Sequence, residues 1–102
     1  MSRSLNFLQG NINHSVAAQD LFLQAMAEWE VDIAVAAEPY FVAPQPHWAG
    51  DVGGGVAVTV RPGGLPLAVK ERGDGFVVVE REGWTVIGVY FSPNRPRVEF
   101  ED

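Results

Sequence analysis

The run Val31 to Ala37, apolar without interruption from Ile33 onward, constrains this chain more than any other segment. An alternating pattern would mark a strand with one wet face. An unbroken run marks a strand covered on both sides, the usual condition of a parallel strand in an α/β layer. A parallel neighbour requires a crossover of a dozen or more residues, and the preceding sequence supplies one. Ser4 to Gln9, with Leu5, Phe7 and Leu8, has strand character. Between the two, Ala18, Leu21, Phe22, Ala25, Met26 and Trp29 recur at helical spacing, so a helix is expected from Val16 to Glu30. Asn13, His14 and Ser15 are its N-cap candidates. A strand–helix–strand unit of this kind closes as a right-handed parallel crossover.

After Ala37 the pattern changes. Pro39, Pro44 and Pro46 make Tyr40 to Asp51 a long loop. Gly54 to Val60, Leu67 to Arg72, Gly75 to Glu80 and Trp84 to Phe91 are strand-like, separated by turn-forming Pro62-Gly63-Gly64, Gly73-Asp74-Gly75 and Glu82-Gly83. Val98, Phe100 and the acids around them have the makings of a first helical turn. The expected class is α/β: a βαβ unit followed by a mostly antiparallel β-meander in a mixed sheet, with residues 1–102 forming one domain.

Composition narrows the function classes. With no cysteine there is neither a disulfide framework nor a thiolate metal site, which favours an intracellular protein, nuclear or cytoplasmic. A formal net charge of −6 argues against a free-standing, non-specific nucleic-acid binder, since phosphate attraction needs an excess of Lys and Arg. It leaves room for an enzyme that handles one phosphate locally through a metal. Two histidines, His14 and His47, do not make a zinc site by themselves. No apolar run is long enough to span a bilayer.

The functional lead is the pairing of Asn11 with Glu38, each at the end of a strand of the βαβ unit. Ligands of open α/β sheets bind at strand ends, where two such side chains can meet. A carboxylate and an amide oxygen, with water completing the shell, are what a hard cation such as Mg²⁺ requires.

Five short segments, in order, carry a family resemblance: Leu8-Gln9-Gly10-Asn11-Ile12-Asn13-His14, Ala17-Ala18-Gln19-Asp20-Leu21, Ala37-Glu38-Pro39-Tyr40, Trp48-Ala49-Gly50-Asp51 and Val89-Tyr90-Phe91-Ser92-Pro93-Asn94. Together they resemble the endonuclease/exonuclease/phosphatase superfamily. More narrowly, they resemble the N-terminal half of the endonuclease domain of non-LTR (LINE-like) retrotransposons. The resemblance implies an incomplete half of a four-layer α/β-sandwich. It assigns Asn11 and Glu38 to the metal and the scissile phosphate, and an active-site tyrosine to the segment that also contains Asn94. That tyrosine position aligns with Phe91 when counted from Pro93-Asn94, and Tyr90 is the residue before it. Adjacent strand residues point to opposite faces, so one of the two serves. Asn13 and Trp48 are candidate substrate contacts. The implied cofactor is Mg²⁺, the implied partner is DNA and the implied reaction is phosphodiester hydrolysis. Family members carry further Asp/Asn and Asp/His motifs that activate water, and these 102 residues contain neither. A truncated, inactive endonuclease domain is therefore expected. The alternative is a degenerate or domesticated half-domain that binds itself or another protein through exposed sheet edges.

Several features have plainer explanations. The Met26 and Trp29 stripe is expected in the core, and Trp48 either stacks on a base or packs over a core edge. Gly53-Gly54-Gly55 lacks the lysine and helix of a phosphate-binding loop and is expected to be a turn or bulge. Arg72-Gly73-Asp74 is expected in a hairpin turn.

Overall fold

The computed structural model describes residues 5–43, 47–62 and 66–90. The βαβ unit forms as the apolar pattern requires. Strand β1 (Phe7–Asn11) and strand β2 (Ile33–Ala37) pair in parallel, with Asn11 opposite Ala37, and helix α1 (Val16–Glu28) connects them. Of the three N-cap candidates Ser15 does the work, its Oγ accepting the Ala18 N–H at 3.2 Å. Strand β1 starts later than its apolar residues indicated and runs two residues beyond Gln9, so that Asn11 is its last residue.

β2 next pairs with antiparallel β4 (Val56–Val60), and β4 with β3 (Trp48–Gly50), giving a mixed sheet of order β1-β2-β4-β3. The segment expected as loop from Tyr40 to Asp51 therefore contains a short strand. Its prolines precede Trp48, leaving the amides of the strand free to pair. The rest of the meander, β5 (Ala68–Gly73), β6 (Phe76–Arg81) and β7 (Trp84–Val89), forms a second, antiparallel sheet. Its hairpins turn at Asp74-Gly75 and at Glu82-Gly83. In the latter both residues have positive φ, 51° and 84°, as a two-residue turn demands.

The side-chain period of two builds the layers. Ile33 and Val35 of β2 join Val56, Val58 and Val60 of β4 against Val77, Val79 and Val86 of the second sheet. Ala34 points the other way, toward Met26 and Phe22 of α1, with Val31 and Leu8 alongside. The order is helix, mixed sheet, antiparallel sheet. β4 lies at the middle of this stack and every one of its five residues is buried. The helix face differs from the expected stripe. Met26 is buried, whereas Trp29 is 65% exposed and Leu21 is also exposed. Trp29 is the C-cap residue.

One consequence concerns stability. Val58→Ala removes two methyl groups from a fully buried site between the sheets. It should cost about 2 kcal/mol, a large share of the stability of a domain this size. The check is the urea midpoint, which should fall with little change in slope.

Candidate active site

Because β1 and β2 run in parallel, their C-terminal ends present Asn11 and Glu38 side by side. The chain leaves β1 in a tight turn in which Asn11 Oδ1 accepts the Asn13 N–H at 2.8 Å. Asn13 and His14 then adopt left-handed conformations, with φ of 54° and 55°. Glu38 is also left-handed at 49°, a strain of roughly 1–2 kcal/mol for a residue with a Cβ. Backbone bonds on both sides hold it there. Its N–H donates to Gly55 O at 2.7 Å, and its carbonyl accepts the His14 N–H at 2.8 Å.

The Glu38 carboxylate is the centre of the cluster, 19% exposed at the side chain. Oε2 accepts the Tyr90 hydroxyl at 2.9 Å and a longer contact from Asn11 Nδ2 at 3.4 Å. Oε1 lies 3.8 Å from His14 Nε2, while the other ring nitrogen of His14 is 3.1 Å from Pro39 O. Of the two adjacent aromatics, Tyr90 therefore reaches Glu38; Phe91 and Asn94 lie outside the described residues. Asn13 is exposed in the turn after β1. Trp48 is not part of the cluster. It pairs with Thr59, which pairs with Ala34, three residues back along β2 from Ala37. There it lines a separate cavity of about 680 Å³ with Met26, Val31, His47 and Arg61.

Three residues that sequence reasoning did not single out hold this arrangement. Asp51, buried, accepts the N–H groups of Gly55 (2.8 Å) and Val56 (3.2 Å) at Oδ1, and of Gly75 (2.8 Å) at Oδ2. Gly55 leaves room for the Tyr90 ring, since a Cβ there would lie 2.5 Å from Tyr90 Cδ2. Gln19, buried on α1, donates to Phe41 O at 2.8 Å and accepts the amides of Tyr40 (2.7 Å) and Phe41 (3.1 Å), pinning the segment after Glu38. Gln19 had a legible signal, an amide three and seven residues from Phe22 and Met26 on the apolar helix face. A carboxylate directly before a glycine run was the corresponding hint at Asp51.

Glu38 Oε1 and the remaining lone pair of Asn11 Oδ1 are oxygen donors suited to a hard divalent cation. Among the described residues there is no group of three or more His, Cys, Asp or Glu side chains that could hold a metal. Water and substrate oxygens would complete whatever part of a shell the side chains of this cluster leave open.

No protein-family model matches the sequence, and neither does any curated protein. Solved structures do match. The endonuclease domain of TRAS1, a telomere-specific non-LTR retrotransposon, superposes with a TM-score of 0.66 at 21% identity. The fold is like that of part of an endonuclease domain. The match takes in 95% of this chain and 49% of the TRAS1 domain, so the chain spans about half the length of that endonuclease domain. The cluster around Glu38 lies at the C-terminal ends of the parallel strands, the end of an open α/β sheet where ligands bind.

Two substitutions probe the scaffold. Asp51→Ala strips the acceptor from three amides, and should destabilise the chain by at least about 3 kcal/mol in denaturant titration. Gly55→Ala should displace the Tyr90 ring, seen as a change in Tyr90 ring resonances with the β-sheet amides otherwise unchanged.

Proposed function

We propose that this chain supplies the metal- and phosphate-binding part of a Mg²⁺-dependent DNA endonuclease site. The observation that carries the reading is the convergence of Asn11, Glu38 and Tyr90 at the C-terminal ends of the parallel strands. The likeness of the fold to an endonuclease domain of a retrotransposon supports the choice of DNA over other phosphate esters.

When bound, Mg²⁺ polarises a phosphate oxygen and offsets the charge that develops on it. Glu38 Oε1 and Asn11 Oδ1 are the residues that would hold it. The Tyr90 hydroxyl and Asn11 Nδ2 orient the carboxylate through Oε2, and the second Nδ2 hydrogen of Asn11 is the donor left to receive a phosphate oxygen. Gly55 and Asp51 keep the Tyr90 hydroxyl in position. The resemblance assigns water activation to Asp and His motifs that these 102 residues lack. The chain by itself is therefore expected to bind the cation and not to turn over.

A second reading, a non-catalytic module that self-associates through sheet edges, draws on one observation. Among the described residues β1 is an edge of the mixed sheet, and it carries Phe7 at 56% exposure. Concentration-dependent sedimentation abolished by Phe7→Lys would support it.

A Mg²⁺ titration followed by NMR should give saturable shifts confined to the amides around Asn11 and Glu38, lost in Glu38→Gln. Tyr90→Phe, which removes a donor to the carboxylate, should weaken binding about tenfold. A folded protein that shows no such shifts would overturn the metal assignment. Nicking of supercoiled plasmid by the purified chain, absent in Glu38→Ala, would overturn the expectation of no turnover.

A further inference from the structure

We propose that His14 is a third ligand of the Glu38 cation site, adding an imidazole nitrogen that turns its preference from Mg²⁺ toward Mn²⁺ or Co²⁺. The inference rests on the reading of Glu38 as a cation ligand and goes beyond it.

The tautomer follows from one contact. His14 Nδ1 is 3.1 Å from Pro39 O, and a carbonyl oxygen only accepts, so Nδ1 carries the proton. In the neutral ring the lone pair is then on Nε2. That atom faces Glu38 Oε1 at 3.8 Å, too far for a hydrogen bond. Two acceptors thus face each other across a gap. For metal–ligand bonds of ~2.1 Å, two donors to one ion lie roughly 3 Å apart at right angles and about 4.2 Å apart when opposed. The observed separation falls within that span.

The surroundings agree with the assignment. Glu38 Oε2 is engaged by Tyr90 and Asn11, which leaves Oε1 as the oxygen facing the imidazole. A backbone carbonyl behind the far ring nitrogen is the arrangement that fixes ring orientation and raises the basicity of a metal-binding histidine. The His14 backbone is held at φ 55° with its N–H on Glu38 O at 2.8 Å, so the two residues are tied through the main chain as well. The His14 side chain is 60% exposed, open to an incoming hydrated ion. Imidazole nitrogen suits the later first-row metals, whereas Mg²⁺ holds to oxygen.

The test compares Mg²⁺ and Mn²⁺ affinity in the full 102-residue chain, measured by calorimetry and by water-proton relaxation for Mn²⁺. The variants are His14→Gly and His14→Asn, both of which tolerate the left-handed backbone. Both should lower Mn²⁺ affinity at least tenfold and leave Mg²⁺ affinity within about twofold. In the unsubstituted chain Co²⁺ should shift the His14 ring protons far outside the diamagnetic range. Mn²⁺ affinity unchanged in both variants, with Mg²⁺ binding still dependent on Glu38, would overturn the role of His14 and leave the Glu38 reading intact. Equal loss of both metals would also overturn it, since His14 would then act on the fold of the turn. A folded chain that binds neither metal would overturn both.

Discussion

The Asp51 carboxylate joins the two sheets at the end where the functional cluster forms. One oxygen takes the amides of Gly55 and Val56 from the mixed sheet, and the other takes the amide of Gly75 from the antiparallel one. The bonds continue from both glycines. Gly55 O accepts from Glu38 N, and Gly75 O accepts from Tyr90 N. Two residues 52 positions apart in sequence are thus referred to a single buried carboxylate, and their side chains meet at 2.9 Å. A buried carboxylate without donors would be costly, and three amides make this one a stable reference point.

The same economy governs Glu38. A left-handed glutamate at a strand end is strained, and the strain persists because bonds from Gly55 and His14 determine its backbone from both sides. The conformation directs the carboxylate across the strand ends toward Asn11 and Tyr90. Gln19 extends the control one step further, binding the backbone of the two residues after Pro39 to the helix. The cluster therefore rests on elements from across the chain, β1, β2, the β3–β4 turn, α1 and the end of β7.

Much of the fold was legible locally. The unbroken run at Ile33 to Ala37, the helical spacing before it and the Gly-containing turns after it place all but one of the elements near their observed positions. β3 was hidden because three residues next to a proline-rich segment carry no period of their own; pairing to β4 makes them a strand. Trp29 was misjudged because helical spacing identifies a face but not which of its residues are covered, and at the C-cap this one is exposed.

Asn11 and Glu38 could be paired from sequence alone, because the parallel crossover brings two strand ends together whatever surrounds them. The choice between Tyr90 and Phe91 could not be made there. It depends on how the second sheet is set against the first, and that is decided by the Asp51 bonds and by the absence of a side chain at Gly55. The proximity of His14 to Glu38 was equally invisible, since it depends on left-handed turns at both residues and on a hydrogen bond between them. Chain-local chemistry determined which elements form and which residues end them. Long-range hydrogen bonds decided which side chains share a site, because only they set the distance between segments that sequence leaves independent.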